Sequence, residues 1–179
     1  KGIQLEGLRK IGDPNEFALK YYKQGVDEIL LMDVVASLYG RNNLFEVIKK
    51  AAKNIFIPIS VGGGVRTILS IEKYVDIGVE KVILGSAAIK NKEFLKEACS
   101  KFKNKIALGL DSKNGNLSVS GWKETLNIKT IDFLEEINMF GVSRLIYTDI
   151  NRDGTKSSPN FEDTIKIAEI SNCPVVISG

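Results

Sequence analysis

The sequence predicts an α/β fold, a parallel sheet covered by helices and organised as a (β/α)8 TIM barrel with a two-fold half-barrel repeat. Three observations carry this. Short runs of β-branched and aliphatic residues alternate with amphipathic stretches, as in a parallel sheet joined by helical crossovers. Gly25, Gly78 and Gly141 each end a helical stretch where a left-handed cap fits, and each is followed by a strand. The chain also aligns with itself without gaps at a spacing of 116 residues. That shift pairs Gly25-Val26 with Gly141-Val142, Asp33 with Asp149, Phe45-Glu46 with Phe161-Glu162, Lys50 with Lys166, Ala52 with Ala168, Pro58 with Pro174 and Gly63 with Gly179. About nine of 39 aligned positions are identical, and most others in the strands exchange one aliphatic residue for another. The repeat joins one strand–helix–strand unit to another four units later, the relation between two halves of an eight-unit barrel. A doubly wound open sheet does not require it.

In chain order the strands are expected at 28–34, 55–61, 81–85, 105–110, 144–148 and 174–178, six in all. The helices between them are expected near 15–24, 44–53, 68–77, 92–101, 128–140 and 161–170. A barrel of this kind usually takes about 250 residues. By count, the 179 residues lack the first and eighth strands and stop at Gly179 as the seventh strand ends. The expectation is one phosphate-binding TIM-barrel domain over 1–179, truncated at both ends. The opening residues, Lys1-Gly2-Ile3-Gln4-Leu5, carry neither an initiator Met nor a signal-peptide pattern.

Composition narrows the chemistry. An apolar fraction of 44% suits one globular domain. The formal charge of +3 is small, with Lys and Glu interspersed as on solvated helix faces, so no nucleic-acid partner is expected. No run approaches 18 apolar residues, so no membrane partner is expected either. Cys99 and Cys173 are far apart in sequence and sit in apolar contexts, which fits buried thiols in a reduced, cytoplasmic compartment. There is no His, which removes His triads, His bases and most zinc sites. Neither a metal nor a cofactor is expected. Acid–base work falls to carboxylates, hydroxyls or Lys.

Carboxylates at the C-terminal ends of barrel strands face the mouth, where such folds place their chemistry. Asp33, Asp111 and Asp149 hold such positions, against the plainer reading that an Asp after a strand caps a loop or helix. Gly62-Gly63-Gly64 and Gly85-Ser86 follow strands, where glycine lets backbone N–H groups approach a phosphate closely or simply makes a tight turn. Because Gly179 matches Gly63, a second phosphate site is expected across the mouth, and two such sites suit a substrate with a phosphate at each end. Asp153-Gly154-Thr155 supplies a turn with a hydroxyl and amides. The Ser120-Gly121-Trp122 segment offers an aromatic face to a flat heterocycle, although a lone Trp is more often packing.

On these motifs the chain resembles the histidine-biosynthesis barrels, the phosphoribosylformimino-carboxamide isomerase and the imidazole glycerol phosphate cyclase. Val61-Gly62-Gly63-Gly64-Val65-Arg66, followed by a Gly-Ser-Ala-Ala element, is typical of both. From Lys1-Gly2 through Asp13-Pro14 to Asp33-Val34-Val35-Ala36-Ser37 and Gly40-Arg41 the chain resembles the cyclase. From Val82 onward it resembles the isomerase, in Gly109-Leu110-Asp111, Val119-Ser120-Gly121-Trp122, Tyr147-Thr148-Asp149-Ile150 and Arg152-Asp153-Gly154-Thr155. The resemblance implies an Amadori rearrangement of an aminoaldose to an aminoketose. Asp111 would be the acid, Thr148 would orient the substrate, and an Asp ending a first strand, absent from this sequence, would be the base. It implies a bisphosphorylated small-molecule substrate lined by Asp33, Trp122 and Asp153. Gly63, Gly64, Gly85, Ser86, Gly154, Thr155 and Gly179 would hold the phosphates. The alternatives are the cyclase, which alone would bring a glutaminase partner, and a non-catalytic phosphate-binding fragment.

Overall fold

The computed structural model describes residues 12–34 and 45–179, and the backbone of residues 2–3 and 7–8. The cyclase-like motifs at Lys1, Val35-Ala36-Ser37 and Gly40-Arg41 lie outside the described residues. The strands are β1 Gly2–Ile3, β2 Gly7–Leu8, β3 Ile29–Met32, β4 Ile59–Gly62, β5 Lys81–Leu84, β6 Ile106–Lys113, β7 Asn116–Val119, β8 Glu124–Lys129, β9 Arg144–Asp149 and β10 Val175–Ser178. The helices are α1 Pro14–Lys23, α2 Phe45–Asn54, α3 Ile68–Asp76, α4 Ser86–Lys90, α5 Lys92–Lys101, α6 Thr130–Ile137 and α7 Phe161–Ile170. Among the described residues no helix is long and apolar enough to cross a membrane.

Six strands pair in parallel in the order β10-β9-β6-β5-β4-β3, each next to its predecessor in the α/β succession. The order never reverses, so the sheet has no switch point of the doubly wound kind. Helices enter where side chains can take up the first free amides: Asp13 accepts from the Asn15 amide ahead of α1, Thr67 from Ser70 ahead of α3, and Asn160 from Asp163 ahead of α7. They leave through Gly25, Gly78 and Gly141, whose φ of 83°, 88° and 87° is the left-handed geometry expected of them.

The core lies between sheet and helices. Leu84, Leu108, Leu110 and Leu145 from the strands meet Ile71, Leu95, Leu134 and Ile137 from the helices, all with at most 1% of their surface exposed. Each contributes about 1.5–3 kcal/mol on burial. Alternation along the strands then sends Asp111 and Thr148 to the opposite face, away from the helices. On that face Leu30, Met32 and Val176, from the two outermost strands, stay 46%, 45% and 41% exposed.

The repeat reappears as geometry. The β3/β4 register pairs Ile29 with Ile59 through Met32 with Gly62, and β9/β10 pairs Leu145 with Val175 through Thr148 with Ser178, each residue 116 further on. α2 and α7 have matching bounds under the same shift. Gly63 and Gly179 share positive φ of 97° and 109°, and each packs on the backbone of its matching aspartate, Asp33 or Asp149.

The structure corrects several expected boundaries. The strand expected at 55–61 begins at Ile59, because Ile55 still donates its amide to Ala51 at the end of α2. The helix expected at 128–140 begins at Thr130, since residues 128–129 belong to β8. The strand expected to stop at 110 runs to Lys113, because the antiparallel β7 pairs with its extension. The β7–β8 hairpin and the short α4 were not expected at all. The turn from β6 into β7 does carry a sequence signal, Asn114-Gly115, both at positive φ (52° and 77°), as a tight two-residue hairpin turn requires.

Candidate active site at the C-terminal strand ends

The parallel strands all point one way, so their C-terminal ends gather the site residues along one rim. Asp111 on β6 stands in direct register with Thr148 on β9, and antiparallel pairing sets Ser118 of β7 on its other side. The Trp122 indole Nε1–H donates to Asp111 Oδ2 at 2.8 Å. The Thr148 hydroxyl, on a residue only 7% exposed, also hydrogen-bonds the Asp111 carboxyl. Burial pushes the Asp111 carboxyl above its ordinary range. The two donors pull it down, the nearby Asp153 charge adds to the rise, and the rise wins. A carboxyl held partly out of water between two donors, with its proton affinity raised, suits a general acid.

The other two strand-end aspartates divide between roles. Asp149 accepts from the Asn151 amide at 3.0 Å and from Asn160 Nδ2 at 2.8 Å, and Asn160 in turn caps α7. Its carboxylate therefore organises the loop. Asp33 is 4% exposed, stands three strands along the sheet from Asp111, and donates its amide to the Gly62 carbonyl at 2.8 Å.

The glycines form two groups. Pairing of β4 with β5 brings Gly63 and Gly64 beside Gly85, where α4 begins with no side chain capping it. A Cβ on Gly63 would lie 2.2 Å from the Asp33 carbonyl oxygen, so only glycine fits. Across the sheet, Gly179 lies against the turn after β9, its would-be Cβ 3.5 Å from the Asp153 amide nitrogen, and Gly154 follows at φ 74°. The Thr155 hydroxyl is already engaged, donating to the Arg152 carbonyl at 2.7 Å and sharing a hydrogen bond with Ser157. The Ser86 hydroxyl likewise accepts from the Ser120 amide at 2.7 Å. Sequence reading missed this contact, since it joins residues 34 apart through a hairpin that was not anticipated.

A cavity of about 230 Å³ opens on the other, helix-covered face, lined by residues including Ser112, Thr130, Tyr147 and Lys166. There Thr130 donates to the Ser112 hydroxyl at 3.1 Å, and burial raises the Tyr147 phenol against its hydrogen bond with Ser112. It is separated from Asp111 by the sheet. Cys99 and Cys173 are both free thiols, and burial pushes the Cys99 thiol up to about 11.

With this geometry in place, comparison with known proteins is specific. A family model described as histidine biosynthesis protein matches residues 1–179. The 1-(5-phosphoribosyl)-5-((5-phosphoribosylamino)methylideneamino) imidazole-4-carboxamide isomerase of Pelagibacter ubique (strain HTCC1062) is 61% identical over 166 residues, 93% of this chain and 70% of its own length. The isomerase of the same name from Carboxydothermus hydrogenoformans is 40% identical over 93% of this chain and 68% of its own. The imidazole glycerol phosphate synthase subunit HisF of Legionella pneumophila is 38% identical over the whole chain and 87% of its own length. The Pelagibacter isomerase thus stands well above the cyclase relative in identity, and on the full-length match the chain belongs to the histidine biosynthesis protein family.

Proposed function

We propose that the protein carries out the isomerase reaction of histidine biosynthesis, turning the phosphoribosylformimino aminoaldose into the aminoketose. The observation that carries this reading is Asp111, a carboxyl of raised proton affinity set between Trp122 and Thr148, in a chain 61% identical to an isomerase. The rearrangement needs an acid to open the ribose ring by protonating its oxygen, and a base to take the proton from C2′. Asp111 is the acid. Thr148, in register beside it, orients the substrate. Trp122 and Asp153 line the mouth with Asp33, and family resemblance assigns the base to an aspartate on a first barrel strand.

Two backbone cradles are proposed for the phosphates: Gly63, Gly64, Gly85 and the Ser86 amide on one side, Gly154, Thr155 and Gly179 on the other. Support comes from the positive φ at Gly63, Gly64, Gly154 and Gly179 and from the 116-residue equivalence of Gly63 and Gly179. We also propose that the parallel sheet is part of a closed (β/α)8 barrel within a single domain. Exposed Leu30, Met32 and Val176 are then interior residues covered by two further strands. A reduced, cytoplasmic setting fits the two free thiols.

Two assays on one preparation of the full-length protein test the reading. The aminoaldose should be converted to the aminoketose without ammonia, and no imidazole glycerol phosphate should form from the ketose plus ammonium. Ammonia-dependent product with a silent isomerase assay would show that the cyclase relatives define the chemistry and the proposal is wrong.

A further inference from the structure

The segment that carries Trp122 is held in a conformation its residues do not favour. Ser120, Gly121 and Trp122 follow one another at φ 58°, 66° and 69°, left-handed geometry that residues with a Cβ rarely adopt, let alone in succession. Backbone of this kind persists only where surrounding contacts over-determine it. At the Trp122 end the contact is the indole N–H on Asp111 Oδ2. At the Ser120 end the amide donates to the Ser86 hydroxyl, and Lys90 Nζ reaches the Ser120 hydroxyl at 3.4 Å and Glu124 Oε2 at 2.6 Å. Lys90 and Glu124 are each about half exposed, so their ion pair is weak in water. The short bond to the partly buried Ser86 is therefore the stronger of the two anchors.

Ser86 and Lys90 both belong to α4, the five-residue helix that follows β5, and β5 is the strand next to the one carrying Asp111. A continuous path thus runs from α4 through the Ser120–Trp122 strap to the carboxyl. We propose that Ser86 is a positioning residue for the isomerase reaction: its hydroxyl latches the strap so that the Trp122 indole stays on Asp111 and fixes the orientation of the acid. This inference rests on the isomerase reading for the role of Asp111, and on the geometry alone for the latch. It assigns the Ser86 side chain to the strap and leaves any phosphate contact at this position to the backbone amide.

The test compares Ser86→Ala, Ser86→Thr and Lys90→Met in the full-length protein, with Trp122→Phe as the blank for any other tryptophan. Ser86→Ala should shift Trp122 emission to the red and open it to acrylamide quenching. It should lower kcat by about 10-fold to 10²-fold, the scale of a small misplacement of a catalytic group, with KM little changed. Ser86→Thr keeps the hydroxyl and should restore both emission and kcat. Lys90→Met should move emission the same way by less, and it carries the test if Ser86→Ala does not fold. Unmoved emission in Ser86→Ala, or a raised KM with kcat intact, overturns the latch and makes Ser86 a plain anion ligand. The emission arm needs no substrate, so a wild-type protein silent in the isomerase assay sinks the reaction reading and still leaves the latch to be decided.

Discussion

Asp111 is one carboxyl on which opposing effects converge, and their balance makes two measurable claims. Burial and the Asp153 charge outweigh the donors Trp122 and Thr148, so the folded protein holds the Asp111 proton more tightly than an unfolded chain does. Such a group adds stability below the ordinary aspartate range, and that contribution is lost as pH rises through its raised folded value. At pH 7 the charged carboxylate is therefore a cost, which Asp111→Asn removes while keeping an oxygen for the Trp122 N–H to bond. Thermal melts at pH 7 should place the Asn variant at or above wild type, with the gap closing as pH falls toward about 4. Turnover should fall by at least about 10²-fold, the usual scale for losing a positioned general acid. A variant with near-wild-type kcat would remove Asp111 from the chemistry. The candidacy of Asp111 was legible from its place after Leu108-Gly109-Leu110 in a chain without His. The donors that surround it were not, because Trp122 reaches it only through the β7–β8 turn.

At the scale of elements, the two half-barrel units share a turn but differ in how tightly it is packed. Gly63 sits against the Asp33 backbone, where a Cβ would be 2.2 Å from the carbonyl oxygen, whereas the nearest atom to a Cβ on Gly179 is 3.3 Å away. Both have positive φ, so alanine is strained at either site, but only at Gly63 must main chain move. Gly63→Ala is expected to destabilise by at least about 2 kcal/mol in denaturant titrations, clearly more than Gly179→Ala. Equal losses would mean that the packing difference between the halves does not matter energetically. A second expectation concerns α7. Asn160 both caps the helix and binds Asp149, and Asn160→Ala should cost about 1–2 kcal/mol for the cap and loosen the loop that carries Gly154.

For the whole molecule, one ion pair joins the two repeats at symmetry-matched positions. Glu28 accepts from Arg144, 116 residues away, and from Ser60, at the N-terminal ends of the strands and opposite to the candidate site. Burial works to raise the Glu28 carboxyl, but Ser60, Arg144 and Lys81 together outweigh it, and it lies below its ordinary range. Its stabilisation is then present above the ordinary glutamate value and lost as pH falls through the lower folded value. Arg144→Met should cost about 1–3 kcal/mol at pH 7, the worth of hydrogen bonds to a charged group, and variant and wild type should converge below about pH 4. A constant difference across pH would show that Arg144 acts through packing instead. At the other end of the strands, phosphate soaked into crystals should occupy both glycine cradles, and anions found elsewhere would count against the two-site arrangement.

What the sequence by itself determined is whatever repeats locally or at a fixed spacing. Alternating apolar runs, cap glycines at 25, 78 and 141, and the 116-residue shift are all carried by residue type along the chain, since hydrophobic period and positive φ are local demands. They specify the parallel α/β fold and the rim where chemistry sits. Only the tertiary structure decided which polar atoms are used. Ser86 is taken by Ser120, Thr155 by Arg152 and Asp149 by Asn160, while Asp111 receives Trp122. A side chain's hydrogen-bond partner depends on which strands and hairpins pack together around it, and in the Ser86 case those lie 34 residues apart in the chain.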